Sequence, residues 1–137
     1  MKWTPAQSPG PDNSPRPLRT LVVDDSVVLL RALCAFMKTQ SQFHVVGTAG
    51  NGSEALGLAE VLGPDLILMD LNMPVMDGLQ ATAILRRRVP HLRIIIMTME
   101  DSPAAEAKAR AQGAHGFIGK RQIISNLIAV VRRTFHQ

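Results

Sequence analysis

The chain has 137 residues, 46% of them apolar, a formal net charge of +4 and one cysteine. That length suits one domain around one core, and no window approaches the ~18 consecutive apolar residues of a membrane span. A lone Cys34 excludes an internal disulfide, as expected of a protein in a reducing cytoplasm, and the mild basic excess comes without the aromatic interleaving or helix-turn-helix pattern of a nucleic-acid reader.

Residues 1–17 hold five of the nine prolines and almost no large aliphatic side chains. Such a segment cannot bury enough area to offset its ordering entropy, so a disordered Pro-rich tail is expected there. It lacks the apolar core and cleavage site of a secretory signal. From residue 18 to residue 137 short apolar runs alternate with segments of helical character, the pattern of βαβ units. Strands are predicted at Thr20–Val23, His44–Ala49, Leu66–Met69, Arg93–Met97 and Gly116–Ile118. Helices are predicted at Val27–Lys38, Ser53–Leu62, Leu79–Arg88, Ala104–Ala111 and Ile123–Thr134. Asn51-x-x-Glu54 resembles a capping box, Gly63-Pro64 stops the second helix, Asp77-Gly78 makes a turn before the third, and Gly113 closes the fourth. Arg86-Arg87-Arg88 and Arg132-Arg133 fall at helix C-termini, where the helix dipole favours cations. The expected fold is α/β, a doubly wound, five-stranded parallel sheet of the flavodoxin-like (βα)5 type. An attached output domain is not expected after the fifth helix.

The strand ends carry the chemistry. Leu21-Val22-Val23 runs into Asp24-Asp25, Leu66-Ile67-Leu68-Met69 into Asp70, Ile94-Ile95-Ile96-Met97 into Thr98, and Gly116-Phe117-Ile118-Gly119 into Lys120. All C-termini of an open parallel sheet lie on one edge, where ligands bind. Two carboxylates ~4 Å apart at an effective dielectric of ~20 repel by about 4 kcal/mol, so a cation must offset the cluster. Asp24, Asp25 and Asp70 offer the hard oxygens that suit Mg²⁺. Lys120 adds a fixed charge, Asp70 stands as an in-line nucleophile for a phosphoryl group, and the Thr98 hydroxyl as a donor to it.

With these residues in this order, the chain resembles the receiver domain of two-component response regulators, from about Leu18 to Phe135. The resemblance implies that Asp70 is the phospho-acceptor and Asp25 a direct Mg²⁺ ligand, with the main-chain carbonyl of Asn72 as another. It implies that Asp24 holds a water of the metal's shell and that Lys120 binds the phosphate. Thr98 would be the switch hydroxyl and Phe117 the aromatic that reports phosphorylation by its rotamer. A histidine kinase or histidine phosphotransfer protein would be the donor, and a downstream protein would read the face of the fourth helix, fifth strand and fifth helix. The expectation is a stand-alone cytoplasmic signalling switch, not an enzyme with a free substrate, with neither membrane nor nucleic acid as a direct partner.

Two positions depart from the family's pattern. Arg121 follows the lysine where many receivers have proline, so the loop there is expected to differ. Met99 follows the switch threonine where a small residue is common, and is expected to crowd the approach to Asp70. Asn72 and Glu100 occupy the two flanking positions that modulate phosphoryl lifetime in the family. Two other readings compete: a haloacid-dehalogenase-type phosphatase, which normally has a second acid where this chain has Asn72, and the receiver portion of a DNA-binding regulator. Met69, Met73, Met76, Met97 and Met99 read as packing around the strand ends, and His44, His91, His115 and His136 as surface or edge residues. In the first helix Leu29, Ala32, Leu33 and Phe36 are predicted to face the core, leaving Val27, Leu30 and Cys34 as an outward apolar stripe on which the donor would dock.

Overall fold

The structure, a computed structural model, describes residues 16–136. The expected tail therefore lies outside the described residues, apart from Arg16 and Pro17. Five strands, β1 (Leu18–Val23), β2 (Phe43–Ala49), β3 (Leu66–Asp70), β4 (Arg93–Thr98) and β5 (Gly116–Gly119), alternate with five helices. These are α1 (Val27–Lys38), α2 (Gly52–Leu62), α3 (Gly78–Arg88), α4 (Pro103–Ala111) and α5 (Ile123–Phe135), the last entered through a 3-10 turn at Lys120–Gln122. All pairings are parallel and the strand order is β2-β1-β3-β4-β5. The doubly wound flavodoxin-like arrangement is thus as expected, and its order reverses between β1 and β3, which opens a crevice at their C-terminal ends.

Burial on both faces explains the unbroken apolar runs. Leu21, Val23, Ile67, Met69, Ile94 and Ile96 pack under Ala55 and Ala59 of α2, Ala81 and Leu85 of α3, and Ala109 of α4. Their alternates Val22, Leu68, Ile95, Met97 and Ile118 pack under Leu33 and Met37 of α1 and Leu127 and Val131 of α5. The small residues on α2, α3 and α4 let those three helices lie close to the sheet.

Most helix ends follow the local chemistry. Gly63 closes α2 at φ +60°, and Gly113 follows α4 at φ +107°, both in the region that glycine enters without a Cβ penalty. Asn51 caps α2 by accepting from the Glu54 amide at 2.9 Å, but Glu54 Oε2 takes the Gly50 amide, at 3.4 Å, rather than that of Asn51. The reciprocal capping box belongs to α3, where the Asp77 and Gln80 side chains each accept from the other's main-chain N–H, at 2.9 and 3.2 Å. Aspartate with glutamine makes this motif as serine with glutamate does.

Helix α1 is rotated from its expected orientation. Leu33 and Met37 are buried, and Leu30, Cys34 and Phe36 pack against the same core, while Ala32 is exposed and Leu29 half-buried. Leu30, Leu33, Cys34 and Met37 have the i, i+3, i+4, i+7 spacing of one helical face, which outweighs the ridge from Leu29. The expected outward stripe is thereby corrected: Leu30 and Cys34 turn inward, and only Val27 of the three stands out, at 58% exposure beside Val28 at 80%.

Candidate functional site

Sheet register brings the polar strand ends level. Val23 pairs with Met69, so Asp24 follows beside Asp70; Asp70 pairs with Met97, and Thr98 with Gly119, the residue before Lys120. Asp70 and Thr98 are the last residues of β3 and β4, one residue further into each strand than the apolar runs alone indicate. Asp24, Asp70 and Thr98 are all buried, and Asp25 is exposed.

Each acid is held by its own loop. Ser26, the N-cap of α1, donates its amide to Asp24 Oδ1 at 2.8 Å, and the Asn72 amide donates to Asp70 Oδ1 at 3.4 Å. Gly78 closes the loop after β3 by donating to the Leu71 carbonyl at 2.9 Å. A Cβ at Gly78 would collide with the Asp70 carbonyl, so α3 can begin this close to the site only from glycine. Neither Ser26 nor Gly78 figures in the sequence reading as a site residue, although Asp-x-Ser is a side-chain turn signal.

Lys120 ties the two sides together. Its Nζ lies 2.7 Å from Asp24 Oδ2 and 3.0 Å from Asp70 Oδ1, with the lysine side chain 11% exposed. Burial alone would lower the ammonium's proton affinity, but the two carboxylates outweigh it and raise Lys120 above its ordinary value. Asp70 is also raised: burial is the main cause, Lys120 opposes it, and the charge of Asp24 adds to it. One lysine therefore compensates the carboxylates incompletely.

A divalent cation suits what remains. Asp24, Asp25 and Asp70 each bring a carboxylate oxygen within 4.8 Å of the others, the one such acid, histidine or cysteine cluster among the described residues. Asp24 Oδ2 is buried and, although paired in charge with Lys120, receives no well-directed hydrogen bond. Three hard oxygen donors and this underserved atom fit Mg²⁺.

Thr98 Oγ1 accepts from the Glu100 amide at 2.9 Å, which leaves its own proton to donate. Met99 does not pack at the strand ends as expected. It is 56% exposed and borders a recess with Thr98, Asp101, Gly119, Lys120 and Arg121, whereas Met69 and Met97 are buried. Arg121 lies in the 3-10 turn that carries Lys120. Phe117 is half-buried against the core under α2, α3 and α4. His115 proves structural: its Nδ1 accepts from the Ile94 amide at 3.1 Å, at the far edge of the sheet.

Known proteins share this fold. Residues 20–132 match the family model described as the response regulator receiver domain. The chain belongs to the response-regulator receiver family. It is a two-component signalling receiver, similar to the response regulator protein VraR of Staphylococcus saprophyticus, at 32% identity over 88% of this chain and 57% of the relative. It is similar also to the transcriptional regulatory protein LnrK of Bacillus subtilis, at 28% identity over 83% of this chain and 52% of the relative. The receiver thus spans about half the length of these relatives. Among solved structures, the signal receiver domain of NarL from Mycobacterium tuberculosis superposes with a TM-score of 0.83 at 31% identity, over 90% of this chain and all of that one. No helix among the described residues is long and apolar enough to cross a membrane.

Proposed function

We propose that this receiver accepts a phosphoryl group on Asp70 from the phosphohistidine of a histidine kinase or histidine phosphotransfer protein in the cytoplasm. The observation that carries the reading is Lys120 Nζ set between Asp24 and Asp70 at 2.7 and 3.0 Å, beside a third carboxylate. An Asp70 carboxylate oxygen attacks phosphorus, and an O–P bond forms as the P–N bond breaks, its electron pair going to the imidazole. The Lys120 ammonium neutralises phosphoryl oxygens, and the Thr98 hydroxyl donates to one of them. Asp25, Asp24, Asp70 and the Asn72 carbonyl are the groups that would hold Mg²⁺, which when bound supplies charge neutralisation for the transferred group. Hydrolysis of the acyl phosphate by water returns the resting state.

The switch follows from charge. A phosphoryl group adds about −1.5 to −2 and three acceptor oxygens, enough to draw the Thr98 hydroxyl from its loop. Thr98 lies level with Gly119 in β5, so its movement is felt by Phe117 and by the face of α4, β5 and α5, where a downstream protein would bind. The shift is one of population between two packings.

The test is incubation with acetyl phosphate or beryllofluoride, with and without Mg²⁺, read by intact mass and NMR. Wild type gains one phosphoryl group in an Mg²⁺-dependent manner and Asp70→Asn does not. A response retained in Asp70→Asn overturns the reading. A second reading, a receiver serving a DNA-binding regulator, is favoured by relatives about twice as long, one of them described as a transcriptional regulatory protein. The length of the native gene product separates it from a stand-alone switch.

A further inference from the structure

At the edge of the sheet opposite Asp70 the molecule is built from cations. α3 ends in Arg86-Arg87-Arg88, α4 carries Lys108 and Arg110 in its last turn, and α5 carries Arg132 and Arg133. β4 opens on Arg93. Four of these arginines stand near His115. Arg110 Nη1 donates to the His115 carbonyl at 3.2 Å, and Arg93 precedes Ile94, whose amide donates to His115 Nδ1. The aliphatic stem of Arg86 covers Gly113, where a Cβ would meet it at 2.6 Å. Arg133 joins Arg110 and His115 in lining a shallow recess of about 270 Å³ whose apolar wall includes Phe117 and Val130. Burial first, then the charges of Arg86 and Arg93, hold the imidazole neutral down to about 4.

Acids meet them on one side only, where Arg133 borders a neighbouring recess with Asp101 and Glu106. Among the described residues only Glu106 makes an ion pair with any of these four arginines, at 2.9 Å from Arg110 Nε and with both side chains about half exposed. Such a pair contributes little. Arg93 Nε is buried with no hydrogen-bond partner. A recess lined by arginines from two different helices, with no carboxylate in its lining, is complementary to a multiply charged oxyanion. Arg110 already gives Nε to Glu106 and Nη1 to the His115 carbonyl, so it would meet the anion through Nη2, while Arg133 would supply the planar fork that matches phosphate oxygens in pairs.

We propose that the recess between α4, β5 and α5 is a second phosphate-binding site, in which Arg110 and Arg133 grip the anion and Arg86 and Arg93 supply its field. The chemistry is that of a phosphate group, free or within a nucleic-acid backbone. The reading of Asp70 is not needed for this site, although Phe117 borders both the recess and the face assigned to the switch.

The experiment is an NMR titration of the Mg²⁺-free full chain at low ionic strength, with pyrophosphate in one arm and a random-sequence DNA duplex in the other. Amide resonances of residues 110–117 and 130–136 are expected to shift saturably. A response to pyrophosphate alone assigns the source to free phosphates, and one to the duplex assigns it to the backbone. Loss of charge-assisted hydrogen bonds in Arg110→Gln/Arg133→Gln should weaken binding about tenfold or more. Arg31→Gln/Lys38→Gln, which removes the same charge on α1, should weaken it less than about threefold. Arg133→Gln alone, at an exposed side chain, supplies the fold-neutral variant should the double one lose stability. No saturable shift in either arm, shifts confined to the surroundings of Asp70, or equal losses in the two double variants would each overturn the proposal.

Discussion

The ammonium of Lys120 stands 3.0 Å from Asp70 Oδ1, yet Asp70 still binds its proton more tightly than an ordinary aspartate, chiefly because it is buried. A carboxyl whose folded pKa exceeds the unfolded one favours the fold while protonated, and that advantage is lost as pH rises through the folded value. At neutral pH the ionised Asp70 is therefore a burden on the metal-free protein. Asp70→Asn should raise the midpoint of thermal unfolding without Mg²⁺, by an amount on the order of 1 kcal/mol. The gain should vanish below the ordinary aspartate pKa of about 4. Mg²⁺ should stabilise wild type and leave the variant nearly unchanged. Scanning calorimetry across pH, with and without Mg²⁺, reads all three.

Removing the lysine has the opposite sign. In Lys120→Ala the carboxylates of Asp24 and Asp70, both buried, lose their sole ion-pair partner among the described residues. Leaving buried charge uncompensated costs about 3–5 kcal/mol at a fully buried pair, and somewhat less here, where the lysine is partly solvated. Mg²⁺ should restore a larger share of stability to this variant than to wild type, measured by urea denaturation. Beryllofluoride should bind it more weakly.

Two glycines separate close approach from mere propensity. Gly78→Ala drives a Cβ into the Asp70 carbonyl and the Leu71 backbone. Backbone on both sides cannot give way cheaply, so a loss of about 2–4 kcal/mol is expected, with a disturbed Mg²⁺ response because Asp70 itself moves. Gly57, inside α2, has nothing within 4 Å of its would-be Cβ. Gly57→Ala should stabilise by about 0.5–1 kcal/mol and leave the site untouched.

Much of this was legible from the chain because apolar runs buried on both faces admit few alternatives. The five strands and five helices stand where the runs and turn residues put them, and Asp24, Asp70 and Lys120 meet because a parallel sheet gathers its strand ends. What the sequence concealed was rotation and reach. Helix α1 is apolar almost all round, so periodicity could not decide between the Leu29 ridge and the Leu30–Leu33–Cys34–Met37 face. Met99 resembles its buried neighbours but follows the last residue of β4, where side chains leave the core. His115 gives no sign in sequence that its ring finishes the ladder of β4, since that bond depends on strand register.

His115 makes acid sensitivity a local matter. Its pKa of about 4 in the fold lies below the unfolded value of about 6.5. Protonation thus favours the unfolded chain: the stabilisation is complete above about 6.5 and is lost as pH falls through about 4. The ring is only half-buried, so the effect is on the order of 1–2 kcal/mol once solvent screening is allowed for. Protonated Nδ1 can no longer accept from Ile94. His115→Leu should lose the hydrogen bond, costing about 1 kcal/mol at pH 7, and should flatten the decline between pH 6.5 and 4 in urea titrations.

The rotation of α1 decides how donor docking must be probed. Leu30 packs against the core shared with α5, so Leu30→Glu would force a carboxylate into apolar surroundings. A loss of several kcal/mol is expected, and transfer from a phosphohistidine donor would fall together with acetyl phosphate labelling. Val28 is 80% exposed, and Val28→Glu should leave stability within about 0.5 kcal/mol. If the first turn of α1 meets the donor, Val28→Glu slows transfer from phosphohistidine while acetyl phosphate still labels Asp70 at the wild-type rate. Equal rates for wild type and Val28→Glu with both donors would remove this turn of α1 from the docking surface.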